Sequence, residues 1–416
     1  MNSISIKKFD FISITIVSLL IIIGLVNIYS STYFDNMSFF SFKTPFGKQL
    51  IFTSISLIIF LFILVLDDRF FFRYSSIIYI LGILLLIAVL IFGNEIKGAK
   101  SWFSLMGFSI QPSEFMKPIT GLALAKYLSN IHSDLKRKSI QLYSFLIVLI
   151  PIFLVIIQPD PGTALIYFSF FFVLYVIGLP SIYMNIFIGL TILFITTVLL
   201  GKQNILFIIS ILLISIVLIY IYRKLSIRKI LFFGILSLVF ILCIDFVFNE
   251  VFEQRHRDRF DIVLGIKEDN KGIGYNTNQS QLAFKSGGFF GEGFLKGTQT
   301  KGDFVPEQHS DYIFATVGEE WGFFGSIFTI ILFTILILRM INRANTNRNL
   351  FNKIFIYSVA SIFFFQFTIN ISMVIGIFPT VGIPLPFISY GGSSLLASII
   401  LFGGYIKLDS VKKEKW

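Results

Sequence analysis

Twelve apolar stretches follow one another along this chain, near residues 11–31, 49–66, 75–93, 112–129, 141–158, 163–179, 182–200, 204–222, 229–249, 312–338, 354–377 and 388–406. About 20 apolar residues in a helix cross the hydrocarbon core of a bilayer. Inside lipid every backbone polar group has to be satisfied within the chain, so repeated runs of this kind leave one architecture: an all-α, polytopic integral membrane helix bundle of about 12 transmembrane helices. Composition agrees. Only 14% of residues are charged, against about 25% in soluble domains, and 52 phenylalanines with a mean hydropathy of +0.85 leave too little polar surface to cover soluble domains. Disordered, nucleic-acid-binding and secreted disulfide-rich classes are excluded. The single cysteine, Cys243, has no partner within the chain.

Charge sets the orientation. With the N-terminus in the cytoplasm and the spans alternating, twenty Lys and Arg fall on the inner side, from Lys7 and Lys8 to Lys415, against five in short outer loops, Lys43, Lys48, Lys97, Lys100 and Lys202, and eight in one long outer loop, where such charge counts for little. Positive charge accumulates on the cytoplasmic side, so both termini are expected there. The net charge of +11 then reflects topology and attraction to anionic lipid rather than nucleic acid. The first segment follows Lys7 and Lys8 without a small-residue cleavage site and reads as an uncleaved anchor. One outer segment, 250–311, is long enough to hold structure. A loop of that length is uncommon without a function. With no tandem repeat, 1–416 reads as a single membrane domain.

Several polar residues interrupt the apolar pattern. Glu114 and Lys117 follow Gln111, Pro112 and Ser113 and share a helix face at i, i+3. They form either an internal or snorkelling ion pair, or a cation for an anionic headgroup. In Gln158-Pro159-Asp160-Pro161-Gly162-Thr163 the prolines break one helix and Asp160 caps the next. A bare turn and a ligand or partner site both remain open. The densest feature, Pro306 to Gly322, contains Glu307, His309, Asp311, Glu319 and Glu320 where the long loop enters a span. Asp311 reads either as an acid favoured by a helix N-terminus or as a functional carboxylate at the outer interface. Glu319 lies about 80° around the helix from Asp311 and Glu320 about 180°, so the three cannot serve one site. Adjacent glutamates in a lipid-embedded helix each cost a few kcal/mol unless paired or hydrated. Ser286-Gly287-Gly288 and Ser389 to Ser394 could offer backbone N–H groups to an anion. For the second, a proline-bent re-entrant loop behind Pro379, Pro384 and Pro386 is the alternative. No Walker loop, dinucleotide fingerprint, histidine-rich metal set or Ser/His constellation is present, so any chemistry runs on carboxylates, cations and hydroxyls.

These residues carry a resemblance. Gly98 to Trp102 followed by Gln111 to Glu114 and Lys117, Gln158 to Thr163, Gln279-Ser280, Ser286 to Gly288, Gly297-Thr298-Gln299, Pro306 to Gly322, Asn370 to Gly376, Pro379, Gly382 to Pro386 and Ser389 to Ser394 together resemble the SEDS family (shape, elongation, division and sporulation) over most of the chain. Gly297-Thr298-Gln299 tilts the likeness to its elongation, RodA-type branch rather than its division, FtsW-type branch. The resemblance implies a peptidoglycan glycosyltransferase that polymerises lipid II at the outer face of the cytoplasmic membrane, paired with a class B penicillin-binding protein. Asp311 matches its essential catalytic acid. The residues expected to serve substrate are Lys117, Glu114, Lys100, Asp160, Gln279, Ser280, Thr298, Gln299, Glu319, Glu320 and Ser393, with Glu307 and His309 ordering the loop around Asp311. Three departures stand out. The family has ten spans, so residues 182–249 are expected to hold an inserted helix pair; Lys100 replaces an arginine, keeping charge but losing the planar fork; and Pro161 replaces an aliphatic residue.

On this reading Asp311 is the base for an acceptor hydroxyl. Lys117, Lys100 and the Arg255, Arg257, Arg259 cluster are candidate cations for the departing diphosphate, with a divalent ion, Mg or Mn, as a candidate cofactor and no residue set assigned to it. The rival reading is a lipid II flippase with Glu114, Lys117, Glu319 and Glu320 along its path. Paired, broken half-helices, the mark of such transporters, are not evident in the sequence. A scaffold that only activates its partner is the third reading.

Overall fold

The computed structural model describes residues 9–33, 44–96, 98–105, 108–130, 134–197, 227–246, 254–264, 266, 274–302 and 304–411. Its helices are α1 (Phe11–Ser31), α2 (Pro45–Val65), α3 (Asp68–Phe92), α4 (Pro112–Leu128), α5 (Lys138–Ile157), α6 (Pro161–Ile166), α7 (Ser169–Ile177), α8 (Ser181–Thr197), α9 (Ile227–Phe246), α10 (Gln254–Val263), α11 (Tyr275–Ser286), α12 (Thr298–Lys301), α13 (Ile313–Thr346), α14 (Leu350–Val374) and α15 (Gly392–Ser410). Among the described residues α1, α2, α3, α5, α13 and α14 are long and apolar enough to cross a membrane. The expected span at 204–222 lies outside the described residues.

Starts and stops follow local chemistry. Asp10 caps α1 and Thr44 caps α2 ahead of Pro45. Pro112 opens α4, where its missing N–H costs nothing. The expected span at 163–179 is two pieces, α6 and α7, joined by a turn at Tyr167 and Phe168. An unexpected element is a three-stranded antiparallel sheet, β1 (Asn94–Ile96), β2 (Ala99–Leu105) and β3 (Phe108–Ile110), between α3 and α4.

The chain forms two compact units, 1–179 with 276–416, and 180–275. In the larger one, α4 packs against α3, α5, α14 and α15, while α2 packs on α15 and α13 on α14. Most of α4 is buried, Glu114 and Lys117 included. The smaller unit holds α8, α9 and α10, with Phe194 edge-on to Phe260 at 5.7 Å.

Helix α13 is broken at Gly322, where φ is 64° and ψ −159°. The carbonyls of Glu319 and Glu320 would ordinarily accept from the amides of Phe323 and Phe324. They accept instead from Glu292 at 2.9 Å and Gly293 at 3.1 Å, and the freed amides donate to the carbonyls of Gly288 at 2.9 Å and Phe289 at 3.3 Å. A turn from the loop preceding α13 thus completes the interrupted helix ladder. It approaches so closely that a Cβ on Gly291 would lie 2.1 Å from the Glu320 carbonyl oxygen.

At the far end of α13, Arg339 reaches the Asp10 carboxylate with Nε 2.8 Å from both oxygens and Nη2 2.6 Å from Oδ1. Tyr405 and Ser13 donate to the same carboxylate at 2.8 and 2.7 Å, and Arg343 lies 3.7 Å from it and 3.5 Å from Asp409. Burial pushes the Asp10 carboxyl up, but the hydrogen bonds from Arg339, Ser13 and Tyr405 outweigh it and hold it at about 2.

Candidate active site

The segment 375–391, between α14 and α15, carries Pro379, Pro384 and Pro386 and is irregular throughout. It borders two groups of candidate residues. On one side the Asn370 amide donates at 2.8 Å both to the Asp311 carbonyl and to the Ile383 carbonyl, tying the loop to the start of α13. The Ser389 hydroxyl donates to the Ser310 carbonyl at 2.6 Å and accepts from the Leu385 amide at 2.8 Å. The Tyr390 amide donates to the His309 carbonyl at 2.8 Å, and the two rings lie 5.3 Å apart. Glu307, with φ of 57°, accepts from the Ser310 hydroxyl at 2.9 Å. Gln308 is buried and donates to the Ser31 carbonyl of α1 at 3.0 Å. Asp311 itself is half-buried. Its carboxylate faces Gly382, where an added Cβ would stand 3.4 Å from Oδ2 and the backbone, at φ 71°, already favours glycine.

On the other side, a Cβ on Gly162 would meet the Val381 carbonyl oxygen at 2.2 Å, so the loop lies directly on the start of α6. There Asp160 accepts from the Thr163 amide at 3.1 Å and hydroxyl at 2.8 Å, capping α6, and from the Gln111 amide at 2.7 Å. The backbone N–H of Gln111 donates to the Ser393 hydroxyl at 3.0 Å, which donates to the Ser109 carbonyl at 3.3 Å. Burial pushes the Asp160 carboxyl up; the two Thr163 bonds and the Lys117 charge oppose this, while the Glu114 charge adds to it. Lys117 Nζ lies 2.7 Å from Glu114 Oε2, with the residues 1% and 4% exposed. The internal ion pair is therefore the arrangement found.

The remaining candidates hold together the loop that precedes α13. Glu319 accepts from the Gln299 amide at 2.6 Å and the Thr300 amide at 3.0 Å, capping α12, with the Thr298 hydroxyl 3.5 Å away. Glu320 accepts from the Ser30 hydroxyl and from the Leu295 amide at 3.2 Å. The Ser280 hydroxyl lies 2.8 Å from the Val374 carbonyl, and its neighbour Gln279 shares α11. Lys100 stands exposed on β2, its Nζ 3.4 Å from the Ile91 carbonyl. Arg257 and Arg259 lie on α10 in the smaller unit, and the Arg255 side chain lies outside the described residues. Among the described residues no three His, Cys, Asp or Glu side chains cluster as a metal site would require. An apolar cavity of about 340 Å³ between α7, α13 and α14, lined by Phe172, Val176, Leu338 and Phe364 among others, contains none of these candidates. Asn370, Gln49 and Gly382 also shape this site, though none of them stands out in the sequence taken residue by residue. Gln49 is an amide in an apolar span, and it accepts from the Gly391 amide at 3.2 Å.

These features define a polytopic helical membrane protein with an acid just before α13, backed by a buried polar cluster. The chain matches the FtsW/RodA/SpoVE family, described as "Cell cycle protein", over residues 11–208 and 182–414, and it belongs to that family. Peptidoglycan glycosyltransferase RodA of Treponema pallidum is 30% identical across 97% of this chain and 98% of its own length. Peptidoglycan glycosyltransferase MrdB of Escherichia coli is 31% identical across 81% and 78%, and stage V sporulation protein E of Bacillus subtilis 30% identical across 95% of each. Among solved structures, a chain reported under "Structural coordination of polymerization and crosslinking by a peptidoglycan synthase complex" aligns with a TM-score of 0.70 at 25% identity, covering 98% of this chain and 99% of that one. Rod shape determining protein RodA of Thermus thermophilus aligns at 0.63 with 23% identity and 98% coverage of both chains, a likeness of fold.

Proposed function

We propose that this protein is a peptidoglycan glycosyltransferase that polymerises lipid II during cell elongation, at the outer face of the cytoplasmic membrane, with both termini inside. The observation that carries the reading is Asp311: a half-buried carboxylate whose backbone is fixed by Asn370 and whose Oδ2 faces the space left by Gly382. The relatives' names supply the reaction class, and the excess of Lys and Arg on one side supports the orientation. A division-type relative, probable peptidoglycan glycosyltransferase FtsW of Trichlorobacter lovleyi, is also 30% identical. The elongation assignment therefore rests on the Gly297-Thr298-Gln299 block.

In the proposed reaction the 4-hydroxyl of an acceptor sugar attacks the anomeric carbon of a donor on undecaprenyl diphosphate, with inversion. Asp311 takes the hydroxyl proton as the new glycosidic C–O bond forms, and the bond to the diphosphate breaks with its electron pair. The lipid diphosphate carries the driving energy. Lys100, exposed on β2, is our candidate cation for the leaving group. Lys117 reaches a headgroup only by leaving Glu114, so we assign the pair, with Gln111, Asp160 and Ser393, to fixing the floor beneath the proline-bearing loop. Glu319 and Glu320 hold the outer loop, with Thr298 and Gln299, rather than substrate. We further propose a class B penicillin-binding protein as partner, the crosslinking counterpart to polymerisation, and residues 182–249 as the site of the extra helix pair. The family match breaks and overlaps at 182–208, in line with that placement.

The test is polymerisation of purified lipid II in detergent with the partner present. Asp311→Asn should lose at least about 100-fold in rate while keeping the wild-type melting temperature. Full activity in this variant removes Asp311 from the mechanism. Headgroup translocation in vesicles with no glycan strands formed in detergent favours the flippase.

A further inference from the structure

The break in α13 has a position as well as a geometry. Asp10 and Ser30, at the two ends of α1, meet Arg339 and Glu320 of α13. Along α1 they are about 30 Å apart at 1.5 Å per residue, the thickness of the hydrocarbon core. A second ruler agrees: from Phe323 to Arg339, the first charge beyond the break, α13 rises about 24 Å. The boundary of the hydrocarbon core on the Asp311 side therefore falls within about a turn of Gly322. Glu319 and Glu320 sit at that boundary, not deep in lipid.

The turn that fills the break carries two phenylalanines outward at this same level. Phe289 is 68% and Phe290 83% exposed. Each pairs with an exposed ring on α13: Phe289 with Phe323 at 5.8 Å, Phe290 with Phe324 at 5.4 Å. Beyond Phe324 the exposed face of α13 continues as Phe328, Ile331, Ile335 and Leu338, spaced four, three, four and three residues apart. In a membrane-spanning helix that stripe faces lipid, and the Phe289 and Phe290 rings extend it beyond the break. On the neighbouring surface Phe294 packs 6.3 Å from Trp321 and 6.4 Å from Tyr29, an aromatic grouping of the kind that marks a membrane–water boundary.

We infer that the turn Gly287–Gly293 is a membrane-seated wedge: Phe289 and Phe290 enter the leaflet on the Asp311 side, among phospholipid chains at the acyl–headgroup boundary. Unpaired backbone is not tolerated there, and the hydrogen bonds exchanged with α13 satisfy the turn where water is scarce. The same bonds join the wedge to the helix that begins two residues after Asp311. The leaflet and the carboxylate are thereby held at a fixed height relative to each other, whatever reaction the site performs.

Spin labels test this on the full-length protein in phospholipid vesicles. With Cys243→Ser as background, labels are placed at Phe290→Cys, at Phe328→Cys on the lipid-facing stripe and at the exposed, charged Lys301→Cys, and collisions with oxygen and with a water-soluble nickel chelate are compared. The oxygen-to-nickel ratio at 290 should match that at 328 and exceed that at 301 by about fivefold or more. A ratio at 290 equal to that at 301 puts the turn in water and overturns the proposal. Shielding of the 290 label from both reagents means that protein covers the turn, and overturns it equally. Should Phe290→Cys fail to insert, Phe289→Cys gives the same readout.

Discussion

Asp311 and Gly382 constrain each other. Any side chain at 382 enters the space beside Oδ2 and must also adopt a left-handed backbone, which costs an L-residue about 1–2 kcal/mol. Gly382→Val should therefore lower lipid II polymerisation by at least about tenfold while shifting stability only by that strain; turnover and melting temperature measured on the same preparation separate the two. The Lys117 and Glu114 pair should behave differently. Lys117→Met alone leaves a buried carboxylate uncompensated, at a cost of about 3–5 kcal/mol, whereas Lys117→Met with Glu114→Leu should recover most of that stability. Equal melting temperatures for the single and double variants would show that the pair contributes no such coupling. At this scale much could be read from the chain: Asp311, Asp160, Glu114 and Lys117 stand out because each is a charge in an apolar setting. Gly382 and Asn370 do not, because their significance depends on what a distant segment places beside them.

The elements divide along similar lines. Long apolar helices such as α1, α3 and α14 are legible because length and composition alone specify them. The broken ladder in α13 is not, since Trp321 and Gly322 follow a good helical run and the bonds that replace the missing ones come from residues 288–293. The small sheet at 94–110 and the turn at Tyr167 and Phe168 escaped for a related reason: both are short, and short elements are decided by their surroundings. The clasp predicts a sharp sensitivity. At Gly291, with φ of 80°, an added Cβ lies 2.1 Å from the Glu320 carbonyl oxygen, so the turn cannot seat. Gly291→Ala should cost at least about 2 kcal/mol and open the 287–302 segment to protease, while Gly293→Ala, whose Cβ would meet only the Lys296 side chain at 3.4 Å, should cost less. Limited proteolysis of the two variants side by side checks the order.

Across the whole molecule, the two ends of the bundle rest on different chemistry. The Asp311 end is held by backbone exchange and amides, the opposite end by the ions around Asp10. Because the Asp10 carboxyl is held at about 2, below its ordinary 3.8, its contribution is present in full above about pH 4 and is lost as pH falls through 2. Allowing for water around the part-exposed Arg339 and Arg343, the loss is about 1–2 kcal/mol. Asp10→Asn should remove that acid-dependent fraction, visible as a flatter plot of melting temperature against pH. The same knot bears on how the protein is made. Asp10 is synthesised at the start of the first helix, yet the guanidinium that neutralises it arrives 329 residues later and the phenol of Tyr405 395 residues later. A nascent chain released early would keep that carboxylate without its counterion, so the first helix is locked to the last ones only when synthesis is nearly complete.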